Sequence, residues 1–163
     1  MEDLFAGVDV STQGQKIVII DLEKRSVIYS DSINYDIDLP KYNTLNGVLK
    51  DTDFGVSESN PNMWIDSLHL LFERLKTSSD IIQSIKAISI AGQQHGLVAV
   101  DKDGNLAKST SKLWNDFSTA EECEILTKEI GGSEQMITEV ANSQRTGYTA
   151  SKIFHMYRNE REL

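Results

Sequence analysis

No apolar run in the 163-residue chain approaches the ~20 residues a helix needs to cross a bilayer. The amino end, Met1-Glu2-Asp3-Leu4, lacks the cationic start of a secretory signal. Cysteine is nearly absent: Cys123 stands alone, so no internal disulfide can form, which fits a reducing cytoplasm. Basic side chains are few, 16 against 25 acidic ones. The resulting charge of −9 argues against nucleic acid or an anionic membrane as partner. Internal repeats and low-complexity tracts are also missing. The carboxyl end has no Gly, Pro or polar tail to close the helix expected from Thr149 to Leu163. A chain that stops inside a helix is expected to be the amino-terminal part of a larger protein. These absences leave a cytoplasmic protein that acts on small molecules.

The remaining composition, 39% hydrophobic and 25% charged, is ordinary for a globular protein, and the length allows one domain with a sizeable core. Three strands are expected first, Leu4–Val10, Lys16–Leu22 and Ser26–Ile33, the last two joined by Glu23-Lys24-Arg25. Ile17 to Ile20 are all apolar, so both faces of the second strand are expected to be covered. The third alternates, as a half-exposed strand does. Asn34 to Asn60 is acidic and irregular, with an Asn46-Gly47 hairpin signal, and is expected to lie over an open face of the sheet. Asn60 caps a helix that begins with Pro61 and ends near Ser78, with Trp64, Leu68, Leu71 and Leu75 on its apolar face. Lys86–Ala91 is a further strand, placed parallel to an earlier one by the helical crossover. Ser118 and Glu121 form a capping box for a helix with Cys123, Leu126 and Ile130 inward, ended by Gly131-Gly132. A shorter helix spans Ser133 to Val140. The fold class is α/β, a mixed sheet flanked by helices.

Three stretches carry candidate chemistry. In Asp9-Val10-Ser11-Thr12-Gln13-Gly14 a carboxylate ends a strand before a tight turn of small polar residues. An ionised oxygen there suits a metal or its water shell, while hydroxyls and bare N–H groups suit phosphate oxygens. The alternative is a turn that Asp9 and Gly14 merely shape. Gly92-Gln93-Gln94-His95-Gly96 follows a strand end, where open α/β sheets bind ligands. Gln94 and His95 between glycines can hydrogen-bond a polyol, or simply form a polar turn. In Leu113-Trp114-Asn115-Asp116, Trp114 is a cleft wall or a core residue, core being the simpler reading. Asp116 orients the turn or accepts a substrate hydroxyl.

Taken with Thr146-Gly147-Tyr148-Thr149-Ala150-Ser151-Lys152, these motifs in this order resemble the first part of an FGGY-family carbohydrate kinase, and within that family the xylulokinases. The resemblance implies an RNase H-like, actin-like ATPase domain. Residues 1–163 would be the amino-terminal part of the first of two such domains. It implies ATP and Mg²⁺ as cofactors, with Asp9 as the magnesium-linked carboxylate and Thr12, Gln13 and Gly14 near the nucleotide phosphates. Gln94 and His95 would contact a ketopentose, D-xylulose, and Arg145 is a candidate further contact. Phe117-Ser118 replaces the Gly-Arg common after the Trp-x-Asp motif. The general base would lie beyond Leu163, so no catalytic residue is expected in this chain and the chain alone would be inactive. The full-length protein is a candidate homodimer. Other readings are a sibling kinase for ribulose, fuculose, gluconate or glycerol, and a non-catalytic sugar- or nucleotide-binding protein. An RNase H-like nuclease needs clustered carboxylates and a basic groove, which the charge argues against.

Overall fold

The computed structural model describes residues 3–160. The chain divides into two compact units, Met1–Lys50 with Asn60–Gln93, and Asp51–Ser59 with Gln94–Leu163.

The first unit is built on a four-stranded sheet. Leu4–Val10 (β1), Gly14–Asp21 (β2) and Ser26–Asn34 (β3) run antiparallel, and Ile85–Ala91 (β7) lies parallel to β1, giving the order β3-β2-β1-β7. Strand alternation decides what is buried. Leu4, Ala6, Val8, Ile17 and Ile19 point to one face and form the core with Met63, Leu71 and Leu75 of the helix Pro61–Ser78 (α2). Asn60 caps that helix through Asn62 N–H at 2.9 Å, with Pro61 behind it, as the sequence indicates. Its buried stripe is Met63, Ser67, Leu71 and Leu75 at i, i+4 spacing, while Trp64 and Leu68 are half-buried beside it. Ser67 lies in that stripe because its hydroxyl is bonded to buried Gln15 and to the Trp64 carbonyl.

The second strand is not covered on both faces. Ile17 and Ile19 are fully buried, whereas Val18 and Ile20 on the opposite side stay partly open. The segment after β3 does not spread over that open face either. It folds into a short helix, Tyr35–Asp38 (α1), a 3-10 turn at Pro40–Tyr42, and a hairpin of Thr44–Leu45 (β4) and Val48–Leu49 (β5). Tyr35 and Leu39 join the core. Asn46 and Gly47 take φ of 55° and 77°, the type I′ geometry their sequence predicts. Asp36 ties the hairpin down, accepting from the Thr44 hydroxyl and from Asn46 and Gly47 N–H.

The second unit pairs Glu58–Ser59 (β6) with Ser111–Lys112 (β8) and carries three helices, Ala120–Glu129 (α3), Ser133–Val140 (α4) and Thr149–Asn159 (α5). The apolar run Leu97–Val100 makes only isolated bridges, at Leu97 and Val100. The expected capping box is absent: Thr119 occupies the cap position with its hydroxyl turned to Thr146 and Ser151 rather than to the helix, and the Ser118 hydroxyl is engaged by Asp116 and Lys112. Nor is the inner face of α3 apolar. Its buried residue is Glu122, which accepts from Arg158 at 2.9 Å and faces His155 at 3.3 Å, while Cys123, Leu126 and Ile130 are only half-buried. The helix expected to reach Leu163 ends at Asn159, and residues 161–163 lie outside the described residues.

Candidate functional site

In the first unit the chemistry gathers on the open face of the sheet. Alternation along β1 sends Gly7 and Asp9 outward, opposite the buried Ala6 and Val8. The hairpin register sets Lys16 directly across from Asp9, and β7 brings Ala91 beside it. Gly7, Val8, Asp9, Lys16, Val18, Ser89 and Ala91 line a hollow of about 300 Å³. A β-carbon added at Gly7 would meet nothing within 4 Å, so the hollow's floor is bare backbone. The Asp9 carboxylate is exposed and accepts a 2.6 Å bond from the Ser11 hydroxyl, which orients it.

The turn after β1 is held from several sides. Ser11 N–H donates to the Gly14 carbonyl at 3.0 Å, Tyr35 N–H donates to the Gln13 carbonyl at 3.1 Å, and the Tyr35 hydroxyl donates to the Ser11 carbonyl at 3.3 Å. The Thr12 hydroxyl donates to Gln93 Oε1 at 3.1 Å, and Gln93 Nε2 returns a bond to the Ser11 carbonyl. Gln13 leaves its side chain exposed. Gly14 has a steric duty of its own: a β-carbon there would run into the Ile33 carbonyl of β3. The turn is therefore a rigid presenter of backbone.

Among the described residues no three His, Cys, Asp or Glu side chains gather into a metal cage. A single open carboxylate beside a lysine fits Mg²⁺ nonetheless. That ion keeps most of its waters and is held by one or two carboxylates together with substrate phosphates. Asp9 is the residue that would hold it, and Lys16 is the cation set across from it.

In the second unit Gln94 and His95 are exposed, and His95 adopts φ of 60°. Its ring packs against Tyr148 with centroids 4.5 Å apart at 36°. The Trp114 motif resolves differently from the core reading: Trp114 is 51% exposed. Asp116 is fully buried and orients the turn, accepting from Ser57 N–H at 2.8 Å, Ser118 N–H at 3.1 Å and the Ser118 hydroxyl at 2.6 Å. Lys112 completes this knot at 3.4 Å from both Asp116 and Glu58. Asp116 has no oxygen turned toward solvent for a substrate hydroxyl. Arg145 is exposed, with Nε 3.4 Å from the Ser143 hydroxyl.

Sequence reasoning missed Lys16, Gln93 and Tyr148. The first was within reach: a two-sided count from the turn pairs residue 9 with residue 16. The others depend on loops that meet only in the fold.

Residues 4–163 match the FGGY family of carbohydrate kinases, N-terminal domain. The chain is 36% identical to the xylulose kinase of Schizosaccharomyces pombe, a match covering 92% of this chain and 30% of that protein. It is 34% identical to the xylulose kinase of Rattus norvegicus, covering 91% of this chain and 32% of that one. In three dimensions it superposes on the xylulose kinase from Rhodospirillum rubrum with a TM-score of 0.80 at 20% identity, over 98% of this chain and 30% of that one. The Plasmodium falciparum glycerol kinase with ADP gives 0.74 at 20% identity, over 99% and 30%. These likenesses establish the actin-like ATPase fold. The chain spans about a third of the length of the curated relatives it matches.

Proposed function

The chain belongs to the FGGY family of carbohydrate kinases, and on that footing we propose that the protein carrying it uses ATP to phosphorylate D-xylulose at its terminal hydroxyl, giving D-xylulose 5-phosphate. The observation that carries the nucleotide half of this reading is the Asp9–Lys16 pair, set side by side on an uncovered sheet face beneath a braced turn. Phosphoryl transfer asks a protein mainly for positioning and for neutralisation of charge. Asp9 would hold Mg²⁺ and Lys16 would approach phosphate oxygens, with Thr12, Gln13 and Gly14 presenting the turn's backbone to the same group. The Mg²⁺ that Asp9 would hold would supply positive charge against the charge that builds during phosphoryl transfer. The relative solved with ADP supports a nucleotide as the ligand.

Gln94 and His95 are the sugar contacts in this reading. Both are exposed, and His95 is ring-stacked rather than loose. The names of the two curated relatives favour xylulose over gluconate or glycerol. No residue here is assigned as general base, which belongs to the part of the protein after Leu163. The 163-residue chain by itself is accordingly inactive in this proposal. A coupled ADP-release assay on the full-length protein, with D-xylulose, D-ribulose, L-fuculose, gluconate and glycerol, tests it. Turnover is expected with D-xylulose foremost, and turnover with none of the five would overturn the reading.

A further inference from the structure

The fourth motif, Thr146 to Lys152, takes no part in the reading above, yet it contains a fully buried lysine. Lys152 sits in the first turn of α5 and is fully buried. Taking an ammonium group out of water costs several kcal/mol, and a cation near a helix amino terminus opposes the helix dipole. An apolar side chain of similar volume would commonly pack there at no loss of stability. The lysine therefore calls for a reason other than stability.

Its contacts supply one. Lys152 Nζ lies 2.7 Å from the His95 carbonyl oxygen and 2.7 Å from that of Gly147. The first of these residues, and the neighbour of the second, form a ring pair, His95 against Tyr148. His95 is also held at φ of 60°, a left-handed conformation that a non-glycine residue keeps only where its surroundings enforce it. Charge-assisted bonds to the carbonyl of that same residue are such an enforcement. The Gly147 side of the clamp is tight as well: a β-carbon at Gly147 would stand 2.5 Å from the Trp114 carbonyl oxygen.

We propose that Lys152 is a positioning residue whose buried ammonium group ties the His95 carbonyl to the Gly147 carbonyl and so presets the His95 ring for the sugar. The proposal rests on the reading of His95 as a sugar contact. Lys152 itself touches no substrate. Burial lowers its pKa to about 8, with Asp116 opposing the shift and Lys112 adding to it. The group thus remains mainly protonated at neutral pH despite its surroundings.

The test uses the full-length protein with Lys152→Met, Lys152→Arg and, as a control, Arg158→Met. The control loosens the far end of α5 by removing one of the two partners of Glu122 and the partner of Glu121. Lys152→Met is expected to raise the KM for D-xylulose at least tenfold while changing the KM for ATP less than twofold. Lys152→Arg is expected to recover part of that loss, and Arg158→Met to leave the sugar KM within twofold. An unchanged sugar KM in folded Lys152→Met, or an equal rise in Arg158→Met, would overturn the proposal. Two further readouts stand apart from catalysis. In the unmutated protein, a ¹⁵N-lysine spectrum is expected to show a slowly exchanging ammonium signal that Lys152→Met removes, beside any from buried Lys112; loss of no such signal in Lys152→Met would refute the clamp. Amide hydrogen exchange at residues 95–97 is expected to quicken at least tenfold in Lys152→Met. If the parent phosphorylates no sugar, the functional reading fails, while these two readouts still decide whether the lysine holds His95.

Discussion

Gly47, at the tip of one hairpin, lies against the carbonyl oxygen of Thr12, in the turn of another, with no room between them for a β-carbon. The long excursion after β3 thus ends by pressing on the turn assigned to the nucleotide. Gly47→Ala adds the missing carbon at φ of 77°. The clash and the strained backbone together are expected to cost about 2–4 kcal/mol, read as a lowered urea midpoint at unchanged slope. The KM for ATP should rise with it, since the hairpin can retreat only by releasing the turn.

Asp9→Asn keeps the shape of the site and removes its charge. In the full-length protein kcat/KM is expected to fall by about 10²–10³, the range seen when a single charge-stabilising group is lost. Lys16→Met should fall less, and mainly in the KM for ATP, because a surface ammonium on a phosphate contributes through charge alone. Steady-state kinetics with ATP varied at saturating sugar distinguishes the two.

The buried carboxylate Asp116 is a structural knot rather than a reagent. It accepts from three groups and faces Lys112. Asp116→Ala takes one of two carboxylates from Lys112, which is nearly as deeply buried. Removing one partner of a buried pair typically costs about 3–5 kcal/mol. Thermal unfolding is expected to show that loss, and a sugar KM close to the parent's in the surviving folded fraction would confirm the structural role.

Lys152 also gives stability a pH dependence of definite sign. Its pKa falls from the ordinary 10.5 to about 8 on folding, chiefly through burial. Between those values the unfolded chain binds more protons than the folded one, so stability rises with pH from about 8 toward 10. The full gain is on the order of 3 kcal/mol. Above pH 10 the tyrosines reverse the trend. Burial lifts Tyr35 to about 12, against the Ser67 hydrogen bond and with help from Asp9, and burial also raises Tyr42. Their phenols ionise first in the unfolded chain. Denaturation midpoints from pH 7 to 11 are expected to pass through a maximum near 10, and Lys152→Met should flatten the rising limb.

The legible parts of the fold are those that a short window decides. The Asn60-Pro61 start of α2, the Asn46-Gly47 turn, the Gly131-Gly132 stop and the β1–β2 hairpin each follow from a few neighbouring residues. The position of Asp9, exposed near the end of a strand before a polar turn, was legible for the same reason. What escaped was decided by partners distant along the chain. Glu122 is buried because Arg158 and His155 come to meet it, and Ser118 abandons its cap for a buried aspartate and lysine. Val18 and Ile20 read as core because their hydrophobicity says nothing of whether a second layer lies above them. The helix that carries Lys152 is legible, but its burial depends on the carbonyls of positions 95 and 147 that come beside it.

Among the described residues, strand β7 has β1 as its one ladder neighbour, and Lys86 through Ala91 are all exposed, Ile88 and Ile90 among them. A margin of unsatisfied amides and carbonyls flanked by greasy side chains is a template for copies of itself. Concentrated alone, the 163-residue piece should zip together along this seam, with light scattering climbing well below its melting temperature. A lysine in place of Ile90 should keep it dispersed.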